Sequence, residues 1–347
     1  MKSCEQKIGV FSAAMTIVGA IIGAGFASGK EILTFFGNGG WLSVAFSALL
    51  FGMLFGCIFL FLCCPAENQK QFGKLVFGKA SWVLGAVYLF CHFCVLSAMI
   101  AGARSLCAKA GVPWLFLVLF CGTGILLLSG FNWVLNANAV LLPGLLVFLV
   151  VVPTTILSKN KPALQFPSTS LAPKLLLNLV LYVAMNMLTA SPVLLSVKSR
   201  CKNKKSCAAL ASAIVSVLFL LIFLAICGFS AEVELPFFSL CVGSGRVASF
   251  VCVVFLLVAT LTTLVSCGMA LVEPLTKITR FKPIAVFSVL CASAFASIFG
   301  FSNIVKYVYP VMGVLGLFIV VILSFKCILS AKMNKKHSIH LKKSSKV

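Results

Sequence analysis

Residues 19–31 read Gly19-Ala20-Ile21-Ile22-Gly23-Ala24-Gly25-Phe26-Ala27-Ser28-Gly29-Lys30-Glu31. They end the first long apolar run, where a membrane-crossing helix is expected. Four glycines fall within eleven residues, and each glycine inside a helix costs about 1 kcal/mol relative to alanine. A plain spanning helix gains nothing from so many. Two readings account for them. Gly19-x-x-x-Gly23 and Gly25-x-x-x-Gly29 have the spacing of small-residue helix-packing faces. Alternatively, the helix opens its backbone to a ligand here. Gly23 and Gly25 place no Cβ between a ligand and the main chain. Freed N–H groups at the start of a half-helix suit a carboxylate, and freed carbonyls suit a cation. Ser28 and the charged pair Lys30-Glu31 that close the run favour the second reading.

Working outward, the chain of 347 residues is 61% apolar and only 10% charged. A soluble domain of this length cannot bury so much apolar surface, so an all-α polytopic membrane protein is expected. Runs long enough to span cover 8–29, 40–64 and 82–103. Two more lie within the uncharged stretch 110–158, divided by a turn over 130–136, and the rest cover 175–197, 207–229, 247–272, 283–302 and 307–329. That is about ten transmembrane helices. Pro143 and Pro153 are expected to kink the fifth. Lys2 and Lys7 before the first run resemble a signal peptide, but the length of the run favours an uncleaved first helix.

Lys and Arg number 28 against six acidic residues, all Glu. The basic residues lie between the apolar runs, a membrane pattern and not a nucleic-acid footprint. With ten spans both termini share a side, and that side holds 20 of the basic residues against 8. The positive-inside rule then places both termini in the cytoplasm of a multi-pass cell-membrane protein. The 16 cysteines are scattered through apolar runs and read as small apolar residues. Cys201 and Cys207 flank the densest internal basic loop, and no set of metal-ligand spacing is present. No nucleophile–base pair, paired acids or Gly-rich phosphate loop points to an enzyme or an ATP-driven pump.

Five spans per half force the halves into opposite orientations, an inverted repeat. The halves are expected at 1–158 and 175–330, with a linker at 159–174 and a basic, unstructured tail at 331–347. Three features match across them. The first helix of each is interrupted, by glycines in helix 1 and by Asn186-Met-Leu-Thr189-Ala-Ser191-Pro192 in helix 6. A polar stretch follows each second helix, at 65–81 and 230–246. Each fifth helix carries proline, Pro143 and Pro310.

The run Gly23-Ala24-Gly25-Phe26-Ala27-Ser28-Gly29-Lys30-Glu31 resembles the signature of the YkvI-like membrane proteins. These are similar to the amino acid–polyamine–organocation superfamily. The resemblance implies the LeuT-like 5+5 fold with helices 1 and 6 broken, and a secondary active transporter. Its function would be ion-coupled, sodium-driven symport of an amino acid or related small organic solute by alternating access. The rivals are an uncoupled facilitator or exchanger and a non-transporting membrane sensor of the same fold.

On this reading Gly23, Ala24, Gly25, Phe26 and Ser28 of helix 1 and Asn186, Thr189 and Ser191 of helix 6 bind substrate, with Phe26 covering an apolar side chain. The polar groups of helix 6 are equally suited to bonding their own kinked helix. Helix 8 carries Thr260, Thr262, Thr263 and Ser266. The resemblance implies a sodium site between the carbonyls near Ala20 and Gly23 and the hydroxyls of Thr262 and Thr263, with Ser266 adjacent and sodium the one candidate cofactor. Such hydroxyls also commonly bond their own i−4 carbonyls. His92 is the titratable side chain well inside a span and a candidate proton relay. Lys30 and Glu31 stand at the outer mouth as a candidate gate. The absence of a mid-span acid favours sodium coupling or plain exchange over proton coupling.

Overall fold

The first apolar run forms a helix that breaks twice. In the computed structural model, which describes residues 8–37, 40–129, 131–159, 162, 172–230 and 232–344, α1 spans Val10–Ile21 and stops as Ile22 and Gly23 turn extended (φ −85°, ψ 91° and φ −98°, ψ −176°). A single turn, α2 (Ala24–Ala27), follows. Gly29 then takes φ +77°, a left-handed conformation that only glycine adopts without strain, and α3 (Lys30–Phe36) resumes. The first crossing unit therefore runs on to Phe36, past the expected end at residue 29.

The remaining elements are α4 (Gly40–Cys63), α5 (Gln69–Phe77), α6 (Trp82–Lys109), α7 (Trp114–Ser129), α8 (Phe131–Lys159), α9 (Ala172–Lys198), α10 (Lys204–Ile226), α11 (Pro236–Gly243), α12 (Arg246–Thr279), α13 (Lys282–Ala296), α14 (Phe301–Asn303) and α15 (Tyr309–Ser344). Among the described residues, eight helices are long and apolar enough to cross a bilayer, and Val10–Ile21 and Trp114–Ser129 are shorter apolar helices. Counting α1–α3 as one unit gives ten crossings among the described residues. The chain is a multi-pass, all-α membrane protein.

The polar stretches at 65–81 and 230–246 each carry a short helix. α5 begins where the Asn68 side chain accepts a hydrogen bond from the Gln71 N–H, 2.9 Å, as an N-cap does. α11 begins at Pro236, where a missing N–H costs nothing. α5 packs on α6 and α11 on α12, in each case the crossing that follows.

The two ends of the bundle are tied differently. At one, the Ile8 N–H donates to the Arg200 carbonyl at 3.0 Å. There Lys198 Nζ also donates to the carbonyls of Cys64 and of Ala66, the latter at 2.7 Å. At the other, the Phe237 N–H donates to the Ser28 carbonyl at 3.1 Å and Lys30 Nζ to the Val233 carbonyl at 3.0 Å. Between them, α9 is the most enclosed of the eight long apolar helices. It meets α15 backbone to backbone: a Cβ on Gly316 would stand 2.2 Å from the Ala184 carbonyl oxygen, and one on Gly313 would stand 2.7 Å from that of Leu181.

Four expectations need correction. Helix 6 is not interrupted: α9 runs unbroken through Asn186–Pro192. Pro192 has no N–H to offer the Leu188 carbonyl, but Ser191 Oγ donates to that oxygen at 2.7 Å, so the proline leaves no gap. The turn between the fourth and fifth crossings is shorter than 130–136, since α8 begins at Phe131; Gly130 lies outside the described residues. The tail is helical through Ser344 as a continuation of α15. Glu31 is not at an outer mouth but buried within the first crossing unit, with 8% of its surface exposed. The linker residues 160–161 and 163–171, and Lys2 and Lys7, lie outside the described residues.

Candidate functional site

The first break leaves its backbone groups facing α12. In a continuous helix the Ala24 N–H would close on the Ala20 carbonyl. Here it points to Thr263 Oγ1 at 3.4 Å, and the Ala20 carbonyl loses its helical donor. The Gly23 N–H turns to the Ile21 carbonyl at 3.2 Å. Thr263 Oγ1 in turn donates to the Ala259 carbonyl at 2.9 Å. A Cβ on Gly23 would lie 3.8 Å from that hydroxyl oxygen. Gly23, Ala24 and Thr263 are thus brought together across two crossings.

Their expected companions are not placed with them. Thr262 Oγ1 donates to the same Ala259 carbonyl at 2.9 Å. Ser266 is exposed and donates to the Thr262 carbonyl at 2.8 Å. Adjacent residues on a helix point about 100° apart, so only one of the two threonines faces the break.

The four glycines of the opening run do different work. A Cβ on Gly19 would press on Leu142 of α8 at 2.8 Å, which is the packing role. Gly23 forms the break, and Gly29 supplies the left-handed turn. Gly25 is not open to a ligand: the Glu31 carboxylate lies over it, with Oε1 1.8 Å from where a Cβ would sit. Ser28 Oγ donates to the Gly25 carbonyl at 2.8 Å and accepts from the Lys30 N–H at 3.3 Å, which binds the second break together. Phe26 is fully buried and does not line the cavity beside the break.

That cavity, about 20 Å³, has Ala24 and Ser28 on one wall, Met99, Gly102 and Leu106 of α6 on another, and Leu256 and Thr260 of α12 on a third; Leu235 and Phe301 close it. It has room for about one water. The Phe301 ring packs on Gly102, where a Cβ would meet it at 3.4 Å. The sequence reading passed over Met99, Gly102, Leu256 and Phe301. None carries a polar atom or a pattern signal, and only the packing of α6, α12 and α14 assembles them.

The helix 6 residues lie elsewhere. Asn186 Nδ2 donates to the Tyr182 carbonyl at 2.9 Å. Thr189 Oγ1 donates to the carbonyls of Met185 and Asn186 at 3.2 and 3.1 Å. Ser191 Oγ also shares a hydrogen bond with Tyr88 Oη of α6, and His92 Nδ1 lies 2.7 Å from the Tyr88 carbonyl. The Tyr88–Ser191 bond ties α6 to α9, whereas the His92 contact stays within α6. None of the three lines the cavity.

A clamp covers the end of the site marked by Ser28. Besides the Lys30–Val233 bond, Ser105 Oγ donates to Glu234 Oε2 at 2.5 Å and Lys109 Nζ pairs with the same oxygen at 3.1 Å. The segment between α10 and α11 is thereby held to both the first crossing and α6. Lys30 sits in this clamp and Glu31 does not.

Comparison with known proteins agrees with this architecture. No family model matches the chain. Its sequence is 24% identical over 338 residues to YyaD of Bacillus subtilis (strain 168), covering 91% of this chain and 96% of that protein. It is 28% identical over 213 residues to the membrane protein YkvI of the same organism, covering 58% of this chain and 61% of that protein. Among solved structures, MhsT in complex with L-phenylalanine superposes with a TM-score of 0.64 at 18% identity, over 92% of this chain and 89% of that one. Mhp1, a nucleobase-cation-symport-1 family transporter in a closed conformation, gives a TM-score of 0.51 at 14% identity, over 93% and 75%. In sequence the chain is similar to YyaD and YkvI, and in fold it resembles MhsT and Mhp1.

Proposed function

We propose that the protein is a secondary transporter that couples movement of an amino acid or similar small zwitterion to a cation, by alternating access around the break in the first crossing. The observation that carries this reading is the break at Ile22–Gly23, with the Ala20 carbonyl stripped of its helical donor and the Ala24 N–H turned to Thr263 beside a buried cavity. Non-helical backbone at membrane depth is tolerated where it is buried in protein or lines a cavity.

Sodium is the cation this geometry suits. The Ala20 carbonyl and Thr263 Oγ1 supply hard oxygen donors from two crossings, the chemistry such an ion needs. Binding would hold α1 and α2 in the substrate-competent arrangement, so coupling is a population shift. Ala24 and Ser28 would meet the polar part of the substrate. Met99, Leu106, Leu256 and Phe301 offer apolar surface to its side chain, and the L-phenylalanine of the MhsT complex is a ligand of that kind. A substrate larger than water enters only when Phe301 leaves Gly102. The halves 1–158 and 175–330 would be the inverted repeats, and both termini would face the cytoplasm.

A thermal-unfolding screen of the purified protein against amino acids, with and without sodium, tests the reading directly. A bound substrate raises the unfolding temperature, and more so in sodium. No response to any amino acid would sink the transporter reading in favour of a non-transporting sensor. A response indifferent to sodium, followed by saturable uptake, would leave an uncoupled carrier.

A further inference from the structure

We propose that Glu31 is a proton-binding site inside the first crossing, and that its loaded form holds α3 against α2. This rests on the transport reading for its role in coupling, but not for its existence. Glu31 is 92% buried (8% exposed). Among the described residues it makes no hydrogen bond and no ion pair. No charged side chain bears on its carboxylate. The neighbouring ammonium of Lys30 is directed to the Val233 carbonyl.

The titratable groups that feel the Glu31 charge are two phenols, Tyr182 from α9 and Tyr309 from the start of α15; Tyr309 also feels Cys267 of α12 and Cys94 of α6. Tyr182 Oη is buried, and Asn186 is the polar side chain beside it. A carboxylate so placed, without a counter-charge, is far costlier than a neutral carboxyl, and buried acids of this kind neutralise. A proton needs a single lone pair. The step is simple: a proton adds to one carboxylate oxygen, and no other bond forms or breaks.

Gly25 gives the site its link to motion. The carboxyl group rests where any side chain at 25 would be, 1.8 Å from a Cβ position, so the contact of α3 on α2 is a contact of Glu31 on bare backbone. Once the proton leaves, the charge must find water, and it does so only by lifting from Gly25. The closed arrangement therefore holds one more proton than the opened one. Acid favours closure and alkali favours opening.

Infrared spectroscopy of the protein in lipid nanodiscs tests this without a substrate. At neutral pH the wild type is expected to show the carbonyl stretch of a protonated, buried carboxyl group, and Glu31→Gln to lack it. Superimposable spectra would overturn the proposal. If Glu31→Gln fails to fold, judged by gel filtration and helical circular dichroism, Gly25→Ala takes its place. The added methyl group must displace the carboxyl and shift the same band, and an unmoved band overturns the site.

For the coupling role, Glu31→Gln is expected to keep substrate counterflow in proteoliposomes while losing accumulation driven by a pH gradient. Wild-type uptake indifferent to the pH gradient overturns that role. Should no amino acid be transported at all, the transport reading fails while the infrared result still decides the site.

Discussion

Removing the hydroxyl of Thr263 separates the ligand reading of the first break from the packing reading. Thr263→Val keeps the branched shape but deletes the acceptor that receives the Ala24 N–H at 3.4 Å. A buried N–H left without a partner costs about 1–3 kcal/mol, and so long a bond places this one near ~1 kcal/mol. Loss of the bond to Ala259 adds little, because that carbonyl still has its place in the α12 ladder. If the break holds sodium, a second effect follows. At a sodium concentration 100 times the dissociation constant, binding stabilises the folded state by about 2.7 kcal/mol, and the valine variant loses it. The assay is thermal unfolding of purified protein over a sodium titration at constant ionic strength with potassium. Wild type and Thr263→Ser should gain stability with sodium, whereas Thr263→Val should give a flat line offset by the smaller amount. A valine variant with the full sodium response would refute the placement of the ion. A wild type with no response would refute the ion itself.

Gly316→Ala pushes a methyl group into the Ala184 carbonyl oxygen at 2.2 Å, an overpacking of about 1–3 kcal/mol, and should lower the unfolding temperature; an unchanged one would mean that α9 and α15 are looser than they look. Gly29→Ala meets both a left-handed φ of +77° and Ile226 Cδ1 at 2.8 Å and should cost about 1–2 kcal/mol or more, measured the same way. Pro192→Ala returns an N–H to an already continuous α9 and should raise stability by ~1 kcal/mol or more; a fall would show that the proline is needed in place. Glu234→Gln removes an ion pair whose lysine is 42% exposed, so unfolding should shift by less than about 1 kcal/mol, checked by the same melt.

The crossings were legible because lipid demands about 20 apolar residues per helix and charges mark the ends. The break at Gly23 was legible because glycine leaves a composition signal. The continuity of α9 was not. Asn186, Thr189, Ser191 and Pro192 look like a rupture in sequence, yet each polar group bonds a carbonyl of its own helix, and only coordinates show Ser191 standing in for the missing N–H. Glu31 was misplaced for a related reason. Hydropathy ends a span at Lys30, whereas Gly29 bends the chain so that α3 carries the acid back into protein. The cavity was half visible. Ala24 and Ser28 belong to the run that gave the fold away, but Gly102 and Phe301 lie about 200 residues apart in sequence, with no periodicity linking them.

The seam of Gly313 and Gly316 against the carbonyls of α9 sets the mechanics of any opening. Side chains can slide or change rotamer, but two backbones in contact cannot shear without parting altogether. α9 and α15 therefore move as one lever arm. The compliant joint lies at one end of that arm, where the π-helical turn Ile304–Val308 precedes Pro310 and the hydrogen-bond ladder is already out of α-helical register. Phe301 hangs beyond the joint. A small rotation there swings its ring off Gly102 while the arm stays straight, so the cavity's apolar door is hinged on a different element from its polar wall.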